Sequence, residues 1–115
     1  MTYILLHNAK CSTSRKGLAL LEEKGVTFEV RAYTKDDERL TVNELKEITQ
    51  KLSSDGPRAF LRAKDAKDAG ITEKTSDAAL YKAMAENPRL IERPIGIKGN
   101  KAIVGRPFTQ LLDIT

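Results

Sequence analysis

Residues 7 to 15 read HNAKCSTSR and hold the only cysteine and the only histidine of a 115-residue chain. Cys11 is followed by Ser12, Thr13 and Ser14 and flanked by Lys10 and Arg15. A thiol reacts as its thiolate, and that form is favoured by nearby positive charge and by the free N–H groups at a helix start. Both conditions are predicted here. TYILLH is a short apolar run that reads as a buried strand over residues 2–7, and SRKGLALLEEKG carries apolar residues at helical spacing up to Gly25, a helix-ending glycine. Cys11 therefore falls in a strand-to-helix loop, where open α/β sheets bind ligands. Ser12, Thr13 and Ser14 offer hydroxyls and backbone donors to the oxygens of an anion held against the sulfur. His7 either hydrogen-bonds near the thiol or simply ends the strand.

Spacing narrows the chemistry. A dithiol exchange site needs a second cysteine at C-x-x-C, and position 14 is Ser14. A mixed disulfide with an outside thiol stays open. A phosphate loop of the cysteine phosphatase kind needs an arginine six positions after the nucleophile, and that position is Gly17. What remains is a lone nucleophile whose anion clamps come from elsewhere. Arg62, on a predicted short helix, and Arg93 and Arg106, each directly before a proline, are the candidates, because guanidinium forks match tetrahedral oxyanions. Arg58 and Arg89 read as surface residues. No metal site is expected.

The positioning elements follow from periodicity. VTFEVRAY alternates apolar and polar residues, a second strand over 26–33 and the closing strand of a βαβ unit with a parallel pair. Residues 34–92 read as a helical insertion. LTVNELKEITQKL opens with Thr41 three residues before Glu44, a capping box. PRAFLRAKD starts a short helix at Pro57, and SDAALYKAMAEN forms another, capped near Ser76 and stopped before Pro88. Ile95–Lys98 and Lys101–Val104 flank Gly99-Asn100, the two-residue loop of a β-hairpin. RPFTQLLDI closes the chain with Pro107 at a helix start. The order predicts one α/β domain over 1–115 with a thioredoxin-like four-stranded mixed sheet: βαβ, helical insertion, ββα. Pro94 has the option of a cis peptide bond at the turn into the third strand.

Bulk properties bound the function. The net charge of +4 comes from lysines and arginines interspersed with carboxylates, and the three tyrosines and three phenylalanines do not interleave with the basic residues. That pattern is a solvated surface rather than a base-stacking one, so nucleic acid is not the expected partner. No apolar run approaches the roughly 20 residues of a membrane span. One cysteine makes no internal disulfide, and no export signal opens the sequence, so a cytoplasmic location is expected.

With these residues assembled, the chain resembles the glutaredoxin-coupled arsenate reductase (ArsC) family over essentially its full length. HNAKCSTSR, RAFLR, IERPI and GRPFTQLLDI carry the resemblance, in order and at similar separations. The resemblance implies a thioredoxin-like fold with a cis proline at Pro94. It implies that Cys11 attacks arsenate while Arg62, Arg93 and Arg106 bind the oxyanion. It further implies no bound cofactor: glutathione attacks the cysteine-bound arsenic, and glutaredoxin resolves the mixed disulfide. Ala9 stands where the family commonly has proline. Two alternatives accompany this reading. One is an RNA polymerase-binding regulator of the related Spx type, without turnover, although Ser14 breaks the C-x-x-C that many of those carry. The other is a glutathione-dependent reductase of another small substrate.

Overall fold

The computed structural model describes residues 2–115. Strand β1 (Tyr3–Leu6) leads through the Cys11 loop into helix α1 (Ser12–Glu23), and β2 (Phe28–Arg31) follows. Both strands are shorter than their apolar patterns, because only four residues of each enter the ladder. α1 ends on Lys24 with Gly25 at φ +69°, where the Gly25 and Val26 amides bond back to Glu22 and Leu21. That is the double closure a left-handed glycine permits.

Three further α-helices, α2 (Val42–Lys51), α3 (Ala63–Asp68) and α4 (Asp77–Glu86), with short 3₁₀ turns between them, separate β2 from the hairpin of β3 (Ile95–Lys98) and β4 (Lys101–Val104). The Thr41/Glu44 capping box and the Ser76 cap are both formed. The short helix expected from Pro57 is instead two pieces. Pro57–Phe60 is a 3₁₀ turn, and Leu61 is extended because it pairs with Ile91 in an antiparallel bridge. Arg62 is thus the N-cap of α3 rather than a residue within a helix. The last segment also differs from expectation. Arg106–Pro107 is cis, Pro107 is an extended N-cap, and the closing helix Phe108–Ile114 is of the 3₁₀ type.

The sheet order is β2-β1-β3-β4, with β1 parallel to β2 and antiparallel to β3. Alternation along β1 serves two cores. Tyr3 and Leu5 pack with Leu21 and Leu111, while Leu6 packs with Tyr33, Ile48, Phe60 and Ile95 under the helical insertion. A strand covered on both faces has no polar side, which is why YILL is apolar throughout.

Register fixes where the loops emerge. Leu6 is opposite both Arg31 and Ile95, and Ile95 is opposite Val104. The chain leaving β1, the chain leaving β2, the segment entering β3 and the segment leaving β4 therefore share one end of the sheet. Arg93–Pro94 is cis at that end. The Pro94 ring fits between two glycines: a Cβ on Gly17 would lie 3.1 Å from Pro94 Cγ and 2.6 Å from Leu111, and one on Gly105 would lie 2.9 Å from both side chains. Gly17, where a phosphate loop would have its arginine, is thus the position at which α1 meets the closing segment. Gly105→Ala should lose about 1–3 kcal/mol of stability in urea unfolding, because overpacking displaces buried side chains. A midpoint equal to wild type would show that the ring has room to move.

Candidate active site

Cys11 is the N-cap of α1, half-buried, with extended backbone (φ −94°, ψ 124°). The loop before it is tied down by its own polar groups. Cys11 N–H donates to Asn8 O at 3.0 Å, Lys10 N–H to Asn8 Oδ1 at 3.0 Å, and the Arg15 guanidinium to Ala9 O at 2.8 Å. Arg15, expected to add charge beside the thiol, thus spends one of its donors on holding this loop.

The Ser14 hydroxyl is fully buried, accepts the Asn8 N–H at 3.0 Å and lies 2.7 Å from His7 Nδ1. Which of the two atoms donates in this bond is set by the ring tautomer. Burial first, then the Arg15 charge, holds His7 below its ordinary value, against a bond to the Ser14 backbone that raises it. His7 and Ser14 thus form a brace between the end of β1 and the first turn of α1. This corrects one sequence expectation: the Ser14 hydroxyl is engaged internally, and its backbone N–H, with that of Thr13, acts on the sulfur instead. Ser12 is exposed on the first turn.

The distant arginines converge. Arg106 Nη2 lies 3.7 Å from Cys11 Sγ, and its Nε donates to Arg93 O at 3.0 Å. Arg93 is 8% exposed, and its Nη1 donates to Arg89 O at 3.3 Å. Arg62 reaches the same group through Glu92, whose Oε1 lies 3.8 Å from Arg62 Nε and 3.5 Å from Arg106 Nε. Asp65 takes Arg62 Nη1 at 2.8 Å. What delivers Arg62 is the bridge of Leu61 and Ile91, flanked by Arg62 N–H to Leu90 O at 2.7 Å and Glu92 N–H to Phe60 O at 2.8 Å. Burial alone would push the Cys11 thiol up. The Ser14 and Thr13 amides and the Arg93 guanidinium outweigh it and leave the thiol below its ordinary value.

Sequence reasoning passed over Glu92, although it stands inside IERPI. Arg89, read as a surface residue, is exposed, yet with Arg93, Asn8, Lys10 and Lys35 it lines an open cleft of about 670 Å³ beside the cysteine loop. Arg58 is a surface clamp on the carbonyls of Thr72, Glu73 and Thr75. Among the described residues, no cluster of three or more histidine, cysteine or carboxylate side chains is arranged to hold a metal, and no helix is long and apolar enough to cross a membrane.

Fold and site define a class: a thioredoxin-like protein with a single activated thiol at the head of its first helix, facing a cluster of guanidinium groups. Comparison with known proteins narrows it. The ArsC family model matches residues 6–114, and the chain belongs to that family. It is 42% identical over 117 residues to a Haemophilus influenzae protein named arsenate reductase, covering 99% of each chain. A Neisseria meningitidis arsenate reductase is 41% identical over 110 residues, covering 93% of this chain and 92% of the relative. The solved arsenate reductase of Vibrio cholerae superimposes with a TM-score of 0.87 at 40% identity, covering 100% of this chain and 98% of that one.

The thiol environment is directly testable. Alkylation of Cys11 should follow a pH profile with its midpoint below the roughly 8.5 of a free cysteine, and Arg93→Ala should move it upward. An identical midpoint in the two proteins would show that Arg93 does not act on the sulfur.

Proposed function

We propose that this protein reduces arsenate to arsenite through Cys11, with glutathione and glutaredoxin supplying the remaining thiols, in the cytoplasm where those thiols are kept reduced. The observation that carries the reading is the 3.7 Å approach of Arg106 to Cys11 Sγ, within a cluster that also contains Arg93, Glu92 and Arg62. The family relatives named arsenate reductases support the choice of oxyanion.

The electron count requires an outside thiol. Attack of the Cys11 thiolate on arsenic forms an S–As bond and expels one oxygen as water. Glutathione condenses on the same arsenic, expelling a second water. Formation of the S–S bond between the two sulfurs leaves an electron pair on arsenic, which becomes arsenite as water replaces sulfur. Two thiols are thereby oxidised to one mixed disulfide, and a glutaredoxin thiol returns Cys11 to its reduced form. Arg62, Arg93 and Arg106 hold the oxygens and offset the repulsion between a thiolate and an anion, the kind of fixed charge that acts most strongly in a water-poor site. His7 and Ser14 act through position, setting where α1 begins. Arg15 holds the loop that carries the sulfur.

The basic cleft beside the cysteine loop supports glutathione as the second thiol. Lys10, Lys35 and Arg89 at its edge match the carboxylates of that peptide, and Arg93 links the cleft to the sulfur.

Arsenite formation with glutathione, glutaredoxin and NADPH-driven glutathione reductase should be measurable in wild type and absent in Cys11→Ser. Arg106→Ala should lower turnover about hundredfold, the cost of removing one fixed anion donor. Turnover that survives Cys11→Ser would overturn the mechanism. Charge reversal at the cleft, Lys35→Glu with Arg89→Glu, should raise the KM for glutathione severalfold, and by more than it weakens arsenate binding. An unaltered KM would place the second thiol elsewhere.

A further inference from the structure

Two buried donors near the sulfur have no acceptor among the described residues: the hydroxyl of Tyr33 and Nε of Arg93. Tyr33 is fully buried and Arg93 is 8% exposed. Buried polar atoms are nearly always paired in native proteins, and an unpaired one costs stability. Finding two at the end of the sheet from which the cysteine loop emerges is therefore informative.

Packing does not account for the hydroxyl. The Tyr33 ring belongs to the core under the helical insertion, with Leu6 and Ile95, and phenylalanine would fill that space equally well. The backbone fixes the ring two residues beyond the end of β2, where Tyr33 N–H donates to Arg31 O at 3.0 Å. The strand ends that deliver Cys11 and Arg93 lie at the same end of the sheet. The charged groups felt by the phenol are those of the site: Arg93 foremost, then Cys11, Arg62 and Glu92. Burial raises the phenol far above its ordinary range, so it keeps its proton at every working pH. A permanently protonated hydroxyl and a guanidinium with a spare N–H are two donors with unused capacity at the end of the sheet that carries the thiol.

We propose that Tyr33 is a further binding residue of this site, its hydroxyl donating, together with Arg93 Nε, to an oxygen of the oxyanion held over Cys11. The inference rests on the oxyanion reading given above and adds to it a neutral donor on the side of the pocket formed by β2. No proton is transferred: the O–H is paired in the complex and unpaired without it.

The test uses the full chain with Cys11→Ser, which removes turnover, and arsenate as the probe. Titration calorimetry gives the affinity, and urea unfolding gives the stability of the free protein. Tyr33→Phe should weaken arsenate binding about tenfold or more, the loss expected for a hydrogen bond to a charged group. It should leave the stability of the free protein unchanged or raised, since the deleted group has no partner to lose. Unchanged affinity in Tyr33→Phe, with binding lost in Arg93→Ala, would overturn the role of Tyr33 and leave the oxyanion site standing. Absence of arsenate binding when Tyr33 and all three arginines are intact would overturn the oxyanion reading itself, and this inference with it. A fall in free-protein stability would show a structural partner for the hydroxyl and also overturn the proposal. Should Tyr33→Phe fail to fold, the Cζ resonance of Tyr33 in carbon-labelled protein decides. It should shift on adding arsenate and not on adding chloride, and no shift with arsenate would overturn the assignment.

Discussion

The contact between Arg106 and the Cys11 sulfur joins residues 95 positions apart in the chain. It depends on one constraint, the register of a four-stranded sheet. Because Leu6 is level with Arg31 and Ile95, and Ile95 with Val104, four separate segments surface together. A slip of one residue in β3 would turn Ile95 from the core under the helical insertion to the other face. It would also carry the Arg93–Pro94 pair away from the thiol. Tyr3 opposes such a slip in a specific way. Its hydroxyl donates to Leu111 O at 2.8 Å, and its ring lies where a side chain at position 96 would sit. Gly96 is the one residue of β3 that leaves this space free.

Much of this was legible locally. Gly99-Asn100 marks the hairpin because its tight loop needs a residue at positive φ, and Gly99 is at +62°. Thr41 and Glu44 mark the start of α2 because each satisfies the other's backbone amide. The two Arg-Pro pairs bracket the hairpin in sequence and therefore in space. In each case a few neighbouring residues carry the whole signal.

What was not legible is tertiary. Nothing within PRAFLRAKD announces that Leu61 will leave the helical path, since its partner is Ile91, thirty residues on. That pairing brings Glu92 between Arg62 and Arg106, so the carboxylate inside IERPI acquires its place only when the chain is folded. Ser14 looked like an oxyanion donor because its type and position fit. Its hydroxyl is claimed by His7 and Asn8 because the end of β1 needs a buried partner. Tyr33 was invisible for a related reason: an aromatic at the end of a strand reads as core, and only the folded molecule shows its hydroxyl without an acceptor.

The placement of Glu92 and Asp65 has an electrical consequence. Three guanidiniums face two carboxylates, and with the sulfur ionised the cluster sums to zero formal charge. The surplus of positive charge lies further out, on Lys10, Lys35 and Arg89. On the oxyanion reading, attraction and discrimination would therefore be handled at different depths. The outer cations act through solvent over a range that ionic strength shortens. Inside, on the oxyanion reading, an electroneutral floor would hold the anion through the direction of its N–H groups, so shape would decide retention once charge has decided arrival.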